Sequence, residues 1–217
     1  MGRSPTNTKS KLLETAKELI WQSSYGSVSV DDICNASGIK KGSFYYYFPS
    51  KAELAVAVMK ESYENYETEL MEVFAADASP IVRFENLATL IYSKQKEALD
   101  KYGRVCGCPF ASLGSEMAGS DSIIQQEADD IFKRKELIVQ DTLVEMVRLD
   151  LLPADTDISA KVAQITVTIL GQLMMARIQN NINNLERDLK LALFQTLGLE
   201  THISVITHTQ MDDNDGK

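Results

Sequence analysis

Histidine is nearly missing from this chain: among 217 residues only His202 and His208 occur, both in a polar C-terminal tail. A Ser-His-Asp triad, a Cys-His pair or a histidine-rich metal centre therefore has no core imidazole to use, which turns the reading away from an enzyme and away from any metal or cofactor. Cysteine is scarce as well. Cys34, Cys106 and Cys108 make an odd number in a chain without an export signal, which argues for reduced thiols rather than a disulfide framework. No run of some 18 apolar residues is present, and Met1 to Ser10 is polar where a secretory signal would be apolar. The expectation is a cytoplasmic protein without a membrane partner. Positive charge is in deficit too, with a net −9 that has the wrong sign for a protein that neutralises phosphates.

That deficit is unevenly placed. Residues 1–60 hold eight basic side chains against five acidic ones, a local +3, so the remainder carries −12. With 44% hydrophobic residues the chain can bury a sizeable core, as one large domain or as a small one followed by a larger one. The charge split favours the second arrangement, with the basic part first.

Apolar periodicity is helical throughout, and no alternating strand pattern competes, so the expected class is all-α. Leu12, Leu13, Ala16, Leu19 and Ile20 form one face of a first helix, stopped by Tyr25-Gly26. Ser29 with Asp32 three residues on is a capping-box start, and Gly38 suits a left-handed end to the short helix between them. A third helix over 40–47 must stop before Pro49. Ser50 and Glu53 then open a long helix to about Ala75. Further helices are expected at roughly 81–101, 110–118, 122–149, 158–183 and 185–197, with breaks at Gly103, Gly119, Pro153 and Asn183-Asn184. Residues 200–217 lack apolar periodicity and read as a disordered tail.

Two short helices joined by a three-residue turn, at the basic end of the chain, have the form of a helix-turn-helix whose second helix enters the major groove. Phe44 and Phe48, at i and i+4, can pack inward, which leaves Lys40, Lys41, Ser43, Tyr45 and Tyr46 facing out, with Gly42 allowing close backbone approach. Lysines supply phosphate or guanine contacts, and serine and tyrosine hydroxyls can reach either. The competing reading makes these aromatics a small core, but three consecutive tyrosines on one short helix cannot all point inward.

The string Ser29-Val30-x-x-Ile33, Ala36-x-Gly38-Ile39, Lys41-Gly42-Ser43-Phe44-Tyr45-Tyr46-Tyr47-Phe48-x-x-Lys51-x-x-Leu54 resembles the DNA-binding motif of the TetR family over about the first 55 residues. The resemblance implies Lys41, Gly42, Ser43 and Tyr45 near base edges and Ser29, Tyr46, Tyr47 and Lys51 on phosphates. It also implies a C-terminal helical domain that senses a small-molecule inducer, and a homodimer that reads a pseudo-palindromic operator in double-stranded DNA. The expected organisation is a helix-turn-helix domain at 1–52, a helical ligand-sensing and dimerisation domain at 53–199, and a tail at 200–217. The resemblance places the dimer in a four-helix bundle of the last two long helices. Ile158, Val162, Ile165, Ile169, Leu173 and Ala176 form a stripe there, and Leu185, Leu189 and Leu193 form another, from which Ile165, Ile169, Leu173, Leu189 and Leu193 are the interface candidates. Intramolecular core is the alternative for each.

Tyr63, Tyr66, Phe84, Ile91, Phe110, Met117 and Phe132 supply enough aromatic and thioether surface to line an apolar pocket, although ordinary core explains the same pattern. Cys106 and Cys108 sit one residue apart at a glycine-rich helix start beside Arg104, a setting that favours thiolate. The stretch from Gly107-Cys108 to Leu113-x-x-Glu116 resembles a TetR subgroup that holds electrophile-responsive repressors of N-ethylmaleimide reductase and acrylate-responsive repressors. Pro109 and the additional Cys106 depart from that pattern, and a buried cysteine beside a non-covalent pocket is the alternative. Glu116, two turns past Cys108, can face the same cavity or form a surface salt bridge. Outside the DNA-binding class, a cysteine-nucleophile transferase would leave the Lys-Gly-Ser-aromatic motif without a role, and a helical interaction protein would have kept the dimer and lost regulated DNA binding.

Overall fold

A computed structural model describes residues 5–199, in which nine α-helices follow one another: α1 Pro5–Gln22, α2 Val30–Ser37, α3 Lys41–Tyr47, α4 Lys51–Val73, α5 Pro80–Tyr102, α6 Pro109–Met117, α7 Ser122–Arg148, α8 Ile158–Gln179 and α9 Leu185–Leu197. No strand forms among the described residues. The expected tail, with both histidines, lies outside them.

Local chemistry sets the ends. At α2 the Ser29 hydroxyl accepts from the Asp32 amide at 3.1 Å while the Asp32 carboxylate accepts from the Ser29 amide at 2.8 Å, a complete capping box. Gly38 closes the helix at φ +63°, a backbone state that costs a side chain and suits glycine. Ser50 caps α4 through the Glu53 amide at 3.1 Å. Ser79 and Pro80 open α5, and Asp157 opens α8 through the Ala160 amide. α8 stops at Gln179, four residues before the break expected at Asn183, because Asn180 takes the left-handed conformation, which asparagine tolerates.

The described residues gather into two compact units, one from 5–68 with Cys108–Lys133, the other from Glu69–Gly107 with 134–199. The division expected at 52/53 falls inside the first unit. Leu54, Val58, Met59 and Tyr63 of α4 belong to the same buried cluster as Leu12, Ala16 and Ile20 of α1, Ile33 of α2 and Phe44 and Phe48 around α3. Phe110 and Leu113 of α6 and Ile124, Ala128 and Ile131 of α7 complete that cluster. Where α6 crosses α7, a Cβ on Gly114 would lie 2.7 Å from the Ala128 methyl, so glycine is required for the approach.

In the second unit α5, α8 and α9 pack around Phe84, Leu87, Ile91, Val162, Ile165, Leu173, Leu189, Leu193 and Phe194, all buried. The Arg83 guanidinium, 3% exposed, donates to Glu145 at 2.7 Å and to the Ala78 carbonyl at 2.9 Å, so this charge is paired and hydrogen-bonded as a buried cation must be.

This packing corrects the expected dimer seam. Ile165, Leu173, Leu189 and Leu193 are buried inside their own protomer, so these four are intramolecular core, while Ile169 is half-buried. The exposed apolar stripe of α8 lies elsewhere on its circumference, at Val167, Met174 and Ile178 with the exposed Gly171 between them. By length and composition alone α8 is the one described helix that could cross a membrane. Lys161 and Arg177 interrupt that apolarity.

Candidate functional site

The sequence forces α3 to present its polar side. Phe44 is fully buried and Phe48 is 4% exposed, which pins the helix against Ile33 and Leu54 beneath it. With one face so fixed, Lys40, Lys41, Gly42, Ser43, Tyr45 and Tyr46 emerge exposed along the other. Tyr46 is 80% exposed and Tyr45 49%, a large apolar surface to leave in water. Tyr47 is half-buried and meets Tyr46 edge-on at 5.0 Å between ring centroids. Gly42 lies in a regular helical turn, and a Cβ built there meets nothing within 4 Å. Nothing within the protein therefore requires glycine at this position, which lowers helix propensity.

Three expected contact residues have employment within the protein. Ser29 is exposed but gives its hydroxyl to the α2 cap, donating to Asp32 at 2.6 Å. Lys41 pairs with Asp31 of α2 at 2.8 Å, and that hydrogen bond, followed by the carboxylate's charge, holds its ammonium above the usual lysine range. Lys51, expected on a phosphate, turns inward: its ammonium donates to the Tyr25 carbonyl at 2.9 Å and the Val28 carbonyl at 2.8 Å and lies 3.8 Å from the Tyr25 ring centroid. Burial pulls this ammonium down and the Glu116 carboxylate pulls it up.

Glu116 completes the same arrangement and was not legible in this role. Its carboxylate accepts from the Tyr25 amide at 3.0 Å and the Gly26 amide at 2.7 Å, which fastens the α1–α2 turn to α6. A Cβ on Gly26 would stand 2.9 Å from a Glu116 oxygen. Tyr25 is thus clamped by a cation on its carbonyl side and a carboxylate on its amide side, and its phenol is pushed up by burial and then by Asp121 and Glu116.

The expected sensing residues divide between the units. In the first, Tyr63 is fully buried and edge-on to Phe110 at 6.0 Å, while Tyr66, Cys108, Met117 and Phe132 are partly buried against the core cluster. A cavity of about 750 Å³ opens between α6 and α7, with Phe110 and Phe132 in its wall beside Ala111, Gly114 and Gln125. In the second unit Phe84 is fully buried, edge-on to Phe74 at 5.8 Å, and Ile91 is buried.

Cys106 is buried, and burial pushes its thiol up against the pull of Arg177 and then Arg104, which corrects the expectation of a thiolate there. Its segment is clasped by residues the sequence did not mark. Gln95 accepts from the Gly107 amide at 2.9 Å and donates to the Gly107 carbonyl at 3.1 Å, and Asn180 accepts from the Val105 amide at 2.8 Å. Gly107 holds φ +69° with Arg177 packed where a side chain would go. Cys108 is the partly buried N-cap residue of α6.

Comparison with known proteins agrees with this geometry. Residues 12–58 match the model of the bacterial regulatory proteins, tetR family, and residues 89–188 match that of the transcriptional regulator LmrA/YxaF-like C-terminal domain. An uncharacterised HTH-type transcriptional regulator of Lactococcus lactis is 28% identical over 88% of this chain and 95% of its own. The transcriptional regulator AcuR of Cereibacter sphaeroides is 33% identical, but over 49% of this chain and 47% of its own. The HTH-type transcriptional repressor NemR of Escherichia coli is 24% identical over 51% of this chain and 54% of its own. The solved reduced form of NemR superposes with a TM-score of 0.72 at 20% identity, covering 86% of this chain and 95% of that one. These relatives are regulators and not enzymes. The chain belongs to the TetR family and is a DNA-binding transcriptional regulator.

Proposed function

We propose that the chain acts in the cytoplasm as a homodimeric repressor that reads a pseudo-palindromic operator with α3 of each protomer and releases it when an inducer acts on the helical domain. The observation that carries this reading is the outer face of α3, where Lys40, Lys41, Ser43, Tyr45 and Tyr46 stand exposed around a glycine that no neighbour requires. Lysines there suit phosphates and guanine edges, and the open backbone at Gly42 suits close approach to a groove. Ser29, Tyr47 and Lys51 serve the geometry of the domain more than direct contact. The repressor sign follows that of NemR, a transcriptional repressor.

Pairing of the protomers is assigned to the exposed α8 stripe at Val167, Gly171, Met174 and Ile178, whose spacing keeps one helical face apolar over three turns. Binding of a small molecule in the apolar interior around Tyr63, Phe110, Met117 and Phe132, or modification of Cys108, then favours a conformation in which α4 carries the two heads out of half-site spacing.

Gly42→Ala tests the reading with two readouts of opposite sign. Thermal unfolding should show a gain of roughly 0.5 to 1 kcal/mol, because alanine is the better helix former and its methyl meets nothing. Operator affinity should fall several-fold. A variant that is more stable and binds DNA unchanged would remove α3 from the groove. For the thiol branch, mild maleimide treatment followed by mass spectrometry should label Cys108 before the buried Cys106 and weaken operator binding; an unlabelled Cys108 with binding unchanged would leave only the non-covalent inducer.

A further inference from the structure

The fold holds the acidic side chain of Asp31 against Lys41, the first residue of the recognition helix. It stands in the first turn of α2 but takes no part in the cap, which Ser29 and Asp32 complete between themselves. Its carboxylate instead meets the Lys41 ammonium at 2.8 Å through one oxygen and 3.1 Å through the other, with both side chains more than half exposed. On a surface that meets a polyanion, such a carboxylate weakens every phosphate contact and draws Lys41 away from the backbone.

We infer that Asp31 is a specificity-determining residue, which with Lys41 reads a G·C base pair in each half-site of the operator; the inference rests on the DNA-binding reading above. A G·C pair presents in the major groove the N7 and O6 acceptors of guanine and, beside O6, the N4 amino donor of cytosine. O6 and N4 are joined by a hydrogen bond of roughly 2.9 Å, close to the separation of the Lys41 nitrogen and the Asp31 oxygen. The two doublets are complementary, so Lys41 can donate to O6 and N7 while Asp31 accepts from N4, and the ion pair stays intact. A thymine in place of guanine would offer Lys41 one acceptor, O4, flanked by a methyl group, which leaves one of its donors unmatched. Asp31 also positions Lys41, since an ammonium held by a neighbouring carboxylate has fewer orientations in which to take a phosphate.

The experiment compares sequences selected from a randomised duplex pool by the full-length wild type, Asp31→Ala and Asp31→Asn at one salt concentration, followed by titration of the selected duplex and its single base-pair variants. Circular dichroism melts confirm folding, which an exposed residue outside the cap should leave unchanged. Wild type should enrich a palindrome with one symmetric G·C position that it prefers by about tenfold or more, and Asp31→Ala should reduce that preference to roughly twofold while other positions stand. Asp31→Asn, which keeps an acceptor oxygen, should retain part of it. If Asp31→Ala and Asp31→Asn both tighten binding to all sequences alike, Asp31 acts by charge alone and the inference fails. If Asp31→Ala leaves the selected palindrome unchanged, the inference fails while the regulator reading stands; if wild type enriches no palindrome, both fail.

Discussion

Val167→Glu combined with Ile178→Glu is expected to turn the dimer into a folded monomer and to lower operator affinity by a hundredfold or more. Val167 is 69% exposed and Ile178 68% exposed on the same side of α8, so the isolated protomer should carry both carboxylates in water at little loss of stability. Closing two copies over them would bury unpaired charges, and each such charge costs on the order of 3 to 5 kcal/mol. A monomer then meets one half-site at a time and loses the gain from joined heads. Sedimentation at micromolar concentration gives the mass, and a thermal melt shows whether the protomer survives. Leu137→Glu on α7, also exposed, serves as the comparison and should remain dimeric. A double variant that sediments as a dimer would place the seam elsewhere.

The second large effect concerns Lys51, where likeness to relatives and geometry disagree. Family likeness implies a phosphate contact; the fold gives its ammonium to two carbonyls and an aromatic ring in the α1–α2 turn. Lys51→Met should therefore act through stability, by about 2 to 3 kcal/mol, because two charge-assisted hydrogen bonds are lost and their acceptors are left partly covered. Below its melting temperature the variant should keep the wild-type dependence of operator affinity on salt, since no phosphate contact has gone. If Lys51→Met melts like wild type and the logarithmic salt slope becomes shallower by about one, the residue neutralises a phosphate and the inward geometry is not the working one. Glu116→Ala should share the stability loss, because its carboxylate holds the amides of the same turn.

What could be read from the chain alone is local. The capping box at Ser29 and Asp32, the left-handed glycine at 38 and the proline after α3 act within four residues, so the helix-turn-helix and its exposed face were legible before any packing was known. Helix ends elsewhere followed the same punctuation, save at α7 and α8, which Asp150 and Asn180 close in the left-handed conformation ahead of the breaks expected at Pro153 and Asn183. Which side of α8 stays exposed was not legible, because the helix carries two apolar stripes. Periodicity alone marks Ile165 and Leu173 as readily as Val167 and Ile178, and the decision belongs to the tertiary packing, in which α9 lies along α8 and the first pair is buried. Glu116 was legible as a charge and not as a clamp, since its partners lie ninety residues earlier in the sequence. Asp31 was invisible for the opposite reason. Beside Asp32 it reads as one more acid in a first turn, and only the fold of α2 against α3 brings it to Lys41.

The role of α3 as the reading helix is tested by selecting bound sequences from a randomised duplex pool with wild type and with Lys41→Ala/Tyr45→Ala at fixed salt, both proteins being shown to be folded. Wild type should enrich a palindrome and the double variant none, because both side chains lie exposed on α3 and neither holds the core. Enrichment of the same palindrome by both proteins would contradict the assignment of α3 as the reading helix, and enrichment by neither would return the chain to a helical interaction protein without regulated DNA binding.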